Sequence, residues 1–106
     1  MSPDLRQRIE QTIKANKIVI FMKGTPDFPQ CGFSAATVDC LNKAGAEFAA
    51  IDVLADWEIR EAIKEYSSWP TIPQVYIEGE FIGGADITRE LFRSGELVER
   101  VKKAQG

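Results

Sequence analysis

A chain of 106 residues with 44% hydrophobic content and a formal net charge of −3 has room for one folded domain, residues 1–106. Its longest apolar run, Ile18 to Met22, falls far short of the about 18 residues a membrane-spanning helix needs, so no membrane role is expected. With 13 basic against 16 acidic residues it lacks the electrostatic footprint of a phosphate-backbone binder, which argues against a nucleic-acid partner.

Ser2 is the expected N-cap of a first helix with Pro3 at its first position, and Leu5, Ile9 and Ile13 then recur at i+4 up to Asn16. Ile18 to Met22 has no polar alternation and predicts a central strand buried on both faces. Gly24 to Pro29 breaks the pattern as a loop. From Gly32 to Ala44 the apolar positions Phe33, Ala36, Val38, Cys40, Leu41 and Ala44 suit a helix ended by Gly45, with Cys40 on a core face shared with Ala36 and Ala44, and Phe48 to Val53 reads as a second strand. Strand, crossover helix and strand make a right-handed unit with parallel strands. Asp56 is placed to cap a third helix, with Trp57, Ile59, Ala62, Ile63 and Tyr66 inward, stopping before Trp69-Pro70.

Gln74 to Ile77, a turn at Glu78-Gly79-Glu80, and Phe81-Ile82 form a predicted hairpin. Asp86 is the predicted N-cap of a further helix through Leu91 and Phe92, and Gly95 separates it from the last helix around Leu97, Val98 and Val101. The order α-βαβ-α-ββ-αα closes naturally as an α/β fold, a four-stranded mixed sheet with helices on both faces.

The chain has no histidine and two cysteines. A closed tetrahedral metal site wants four such ligands, so one chain cannot build it alone, and histidine-dependent base catalysis is excluded. Cys31 stands where a helix begins, and free backbone N–H groups and the helix dipole there favour a thiolate, with Lys23 able to add positive charge. Three residues on, where a dithiol motif places its second cysteine, stands Ser34. Cys40 cannot substitute: nine helical residues span about 13 Å, against the roughly 7 Å a disulfide allows between Cα atoms. It belongs to the core. Cys31 therefore needs an external thiol, a second chain, or a metal held by several subunits.

Trp69-Pro70-Thr71-Ile72-Pro73-Gln74 is a second signal, because a cis bond before Pro73 would leave the Ile72 backbone free to pair with an extended ligand. Gly83-Gly84-Ala85-Asp86, leading into a helix, suits a carboxylate bound by backbone N–H groups. Arg60, Glu61 and Lys64 read as a solvated charged face, and Trp57 and Trp69 as packing residues.

Together, Lys23, Cys31-Gly32-Phe33-Ser34, the Trp69–Gln74 segment and Gly83-Gly84-Ala85-Asp86 resemble the ordered motifs of the monothiol glutaredoxins of the CGFS type, over nearly the whole chain. The resemblance implies a thioredoxin-like fold, glutathione as ligand, and a labile 2Fe-2S cluster shared by two chains through one cysteine and one glutathione from each. Cys31 would then be the iron ligand and the reactive thiol. Lys23 and Arg60 would hold the glycine carboxylate of glutathione, and the Ile72 backbone, between Thr71 and Pro73, would pair with its cysteinyl residue. The Ala85 N–H beside Gly84, with Asp86, would take the γ-glutamyl end. Gly32, Phe33 and Ser34 would shape the cluster pocket, with Phe28 and Gln30 beside it.

Many members of that family carry cysteine where Ala85 stands, so an internal two-cysteine cycle is not expected here. The resemblance implies a cluster carrier that serves apo iron-sulfur acceptor proteins, a homodimer with cluster and a monomer without, with a BolA-type protein as an alternative partner. The second reading is a glutathione-dependent oxidoreductase using Cys31 alone. The opening residues lack the pattern of a secretory signal, so a cytoplasmic setting is expected.

Overall fold

A computed structural model describes residues 1–106. Strand β1 (Ile18–Met22) is buried along its whole length, as its unbroken apolar composition requires. It lies inside a four-stranded sheet of order β2-β1-β3-β4. β2 (Ala49–Asp52) runs parallel to β1 with Val19 opposite Ala49, and β3 (Gln74–Ile77) runs antiparallel with Ile20 opposite Val75. β4 (Glu80–Gly83) closes the hairpin with β3. This is the predicted mixed sheet. β2 is shorter than the predicted Phe48–Val53, although the Val53 N–H still donates to the Met22 carbonyl at 2.9 Å.

Alternate residues of β1 feed two cores, as the period of a strand dictates. Ile18, Ile20 and Met22 pack with Val38 and Leu41 of α2 (Gly32–Lys43) and with Leu97 and Val101 of α5 (Glu96–Gln105). Val19 and Phe21 pack on the opposite face with Ile9 and Ile13 of α1 (Pro3–Ala15) and with Ile59 and Ile63 of α3 (Trp57–Ser67). Leu91 and Phe92 of α4 (Ala85–Ser94) flank the first core.

Three expectations need correction. Ala36, expected on the core face of α2 with Cys40 and Ala44, is exposed, while Ser34 and Thr37 are buried with Cys40. The hydroxyls pay no desolvation penalty there: Ser34 Oγ accepts the Lys23 N–H at 3.1 Å, and Thr37 Oγ1 donates to the Phe33 carbonyl at 2.8 Å. Trp57 is 66% exposed rather than packed, because Ile59, Ala62 and Ile63 already fill the inner stripe of α3. α4 starts one residue after Gly84, so Asp86 sits in its first turn instead of capping it. Gly83, at φ +145°, turns the chain from β4 into this helix.

Candidate functional site

Beyond the end of β1, Lys23 to Gln30 folds into a closed loop. Gly24 and Pro29 bridge, the Gln30 N–H donates to the Lys23 carbonyl at 2.9 Å, and the Gly24 N–H donates to Asp52 Oδ1 at 2.9 Å. Gly24 has φ +89°, and a Cβ there would lie 2.5 Å from the Phe28 carbonyl oxygen, so glycine is required. The loop delivers Cys31 to the N-cap of α2 in extended conformation, half-buried, with no side-chain capping bond.

The Cys31 thiol is held below its ordinary range, first by the Ser34 N–H and then by the Phe33 N–H, against some desolvation, with the Lys23 charge and the Ser34 hydroxyl adding smaller contributions. Cys40, on the same helix, behaves oppositely. It is buried, and burial pushes its thiol up.

Facing Cys31, the segment from Trp69 to Pro73 crosses to β3, with a cis bond between Ile72 and Pro73. Gln74, fully buried at the start of β3, fixes this segment: its Nε2 donates to the carbonyls of Trp69 at 3.1 Å and Thr71 at 3.2 Å, and its Oε1 accepts from the Tyr76 hydroxyl at 3.2 Å. Neither the N–H nor the carbonyl of Ile72 is used in a hydrogen bond within the chain. At the next corner α4 begins at Gly84 without a side-chain cap, which leaves the N–H groups of its first turn free.

These segments enclose a cleft of about 660 Å³. Lys23, Arg60 and Lys64 bring positive charge to it, and Asp86 brings negative charge. The two buried side-chain polar atoms left without a partner, Arg60 Nε and Trp69 Nε1, both belong to residues of its wall. Phe28 and Phe33, 74% and 60% exposed, flank the thiol in sequence.

The glutaredoxin family model matches residues 18–82. An uncharacterized monothiol glutaredoxin of Synechocystis is 57% identical over 104 residues, covering 98% of this chain and 97% of that one. The chain belongs to the monothiol glutaredoxins. Among solved structures, reduced apo GrxS14 of poplar is 50% identical with a TM-score of 0.85, covering 98% of this chain and 95% of that chain. The buckwheat glutaredoxin-glutathione complex is 25% identical with a TM-score of 0.85, covering 99% and 96%. The sheet and its five helices are thus the thioredoxin-like fold of the glutaredoxins.

In this glutaredoxin the cleft brings together Lys23, Cys31, Phe33, Arg60, Thr71, Ile72, Pro73, Gly84, Ala85 and Asp86 from the expected site. Gly32 and Ser34, expected to shape the cluster pocket, are not among the residues that line this cleft. Gly32 is exposed next to Cys31, and Ser34 is buried, meeting the site through its hydrogen bonds to Lys23 and Cys31. Sequence reasoning missed Lys64 and Ile87 in the wall, and it flagged the segment holding Trp69 and Pro70 without giving those two a place in the site. For Lys64 the available signal was its i+4 spacing from Arg60, which puts both cations on one side of α3. Trp69, read as packing, does pack against Phe81 with ring centroids 5.7 Å apart, and it lines the cleft as well.

Proposed function

We infer that this monothiol glutaredoxin binds glutathione in the cleft and carries a 2Fe-2S cluster, held between two copies of the chain and passed to apo acceptor proteins. The observation that carries the reading is a single thiol of lowered pKa across a cleft from unpaired peptide groups. An extended tripeptide suits such a wall. The Ile72 N–H and carbonyl would pair with the cysteinyl residue, Lys23 and Arg60 with the glycine carboxylate, and the Ala85 N–H and Asp86 carboxylate with the γ-glutamyl carboxylate and amine. The buckwheat complex supports glutathione as the ligand.

The cluster rests on a count of donors. A 2Fe-2S cluster takes four thiolates, and no three His, Cys, Asp or Glu side chains of this chain are grouped so as to hold a metal ion. Cys31 contributes one thiolate, and its exposed neighbours Phe28 and Phe33 suit a surface covered by a second copy. One Cys31 and one glutathione from each copy complete the set. The chain without cluster is then a monomer, and a BolA-type protein in place of one copy is the alternative assembly. Two unpaired cysteines suit a reducing cytoplasm.

The lowered thiol pKa also favours a second reading, glutathione-dependent thiol exchange. The Cys31 thiolate attacks the glutathione sulfur of a protein mixed disulfide, the Cys31–glutathione bond forms, and the protein leaves as thiolate. A second glutathione thiolate attacks that new bond, releasing oxidised glutathione and regenerating the Cys31 thiolate.

Anaerobic reconstitution with iron, sulfide and glutathione separates the two, followed by visible absorption, CD and mass in solution. A coloured dimer that requires glutathione and is lost in Cys31→Ser is expected. A colourless wild-type monomer would remove the carrier reading and leave the exchange enzyme.

A further inference from the structure

Trp57 has no place in the core, yet it is not free of contacts. It is the first residue of α3, 66% exposed, and the guanidinium carbon of Arg60 lies 4.4 Å from its ring centroid, one turn along. The Arg60 side chain is only 21% exposed; its Nη1 reaches Glu61 Oε2 at a long 3.3 Å, and its Nε is buried with no acceptor. An arginine side chain carries much rotamer entropy, part of which is lost when a ligand fixes it. A guanidinium already laid on an indole face loses less, and stacking through its face does not itself occupy the in-plane N–H groups that a carboxylate takes.

We propose that Trp57 is a positioning residue of the carboxylate end of the cleft: its indole holds Arg60 in the orientation that receives the terminal carboxylate of a glutathione-like peptide. The proposal rests on the reading of the cleft as a glutathione site. Trp57 touches Arg60 and acts through it, and its own side chain does not line the cleft. Its exposure means that truncation removes little burial, so the effect should appear in binding and not in folding.

The test is titration of the reduced full chain with glutathione, and with its analogue ending in a glycinamide, followed by backbone amide NMR shifts. Wild type, Trp57→Ala, Trp57→Phe and both tryptophan variants on an Arg60→Ala background are compared. Trp57→Ala is expected to raise the dissociation constant for glutathione about two- to fivefold, the range of an exposed cation–aromatic pair. Trp57→Phe should recover most of that loss. The amide analogue should bind wild type and Trp57→Ala alike, and on the Arg60→Ala background the tryptophan should no longer matter. Equal glutathione binding by wild type and Trp57→Ala, or equal weakening for acid and amide, would overturn the positioning role. A wild type that binds neither peptide would overturn the glutathione reading itself, a result distinct from the first two.

Discussion

The four helices that follow a strand or open the chain start in two different ways. α1 and α3 are capped by their own side chains: Ser2 Oγ accepts the Leu5 N–H at 3.2 Å, and Asp56 Oδ1 accepts the Ile59 N–H at 3.2 Å. α2 and α4 start at Cys31 and Gly84 with no side-chain cap. An uncapped start leaves stability unclaimed, about 1 kcal/mol for a typical cap. Both uncapped starts open on the cleft, and the capped ones do not. At α2 the freed N–H groups of Ser34 and Phe33 serve the Cys31 sulfur, and at α4 they stay available to a ligand anion. The two uncapped starts offer backbone N–H groups to the cleft, whereas capped α3 contributes to it through the side chains of Arg60 and Lys64.

The sharpest way to break this contrast is to cap α4. Gly84→Asp would place a carboxylate where the ligand's is expected, and its Cβ would lie 3.3 Å from both the Pro73 carbonyl oxygen and Trp69 Nε1. Glutathione affinity is expected to fall about tenfold or more through occupied donors and like charge, measured by amide-shift titration.

Removing a cap that the fold does use should give the opposite signature. Asp56→Ala loses the α3 cap and the 2.9 Å pair with Arg8 that ties α1 to it. A loss of about 1–2 kcal/mol is expected in urea unfolding, with the Cys31 titration unchanged. The pH dependence has a definite sign. Arg8 and the Ile59 N–H hold the Asp56 carboxyl below its ordinary range, so its contribution is present above that range. It is lost as pH falls through the lowered value, and the variant should lack that acid-side component.

The smallest effect is expected at Lys23. Its charge ranks behind the backbone donors in lowering the Cys31 thiol, so Lys23→Ala should raise that pKa only slightly, in a salt-dependent way. The rate of iodoacetamide alkylation against pH reads this directly. Cys40, buried and shifted upward, should react far more slowly throughout.

Much of this contrast was legible in the sequence. Unbroken hydrophobicity marked β1, the cap residues Ser2 and Asp56 marked two helices, and Cys31 after a proline-bearing loop read as a thiol at a helix start. The Asp86 cap was misread because aspartate is favourable both at the N-cap and within the first turn. Ser34 and Thr37 were hidden for a different reason: hydrophobic periodicity cannot report a hydroxyl that is buried because its hydrogen bonds are met. The convergence of Lys23 after β1 with Arg60 and Lys64 on α3 is a product of tertiary packing, with no local signal. Gln74 could have been suspected as a polar residue opening a strand otherwise apolar, but its grip on Trp69 and Thr71 needs the folded turn.

The most direct test of the central claim is a map of backbone amide shifts on adding glutathione to the reduced chain. Changes concentrated at Ile72, at Ala85 and Asp86, and at Phe33 and Ser34, with the start of α1 silent, are the expected result. Shifts centred away from the cleft, or none at saturating glutathione, would contradict it.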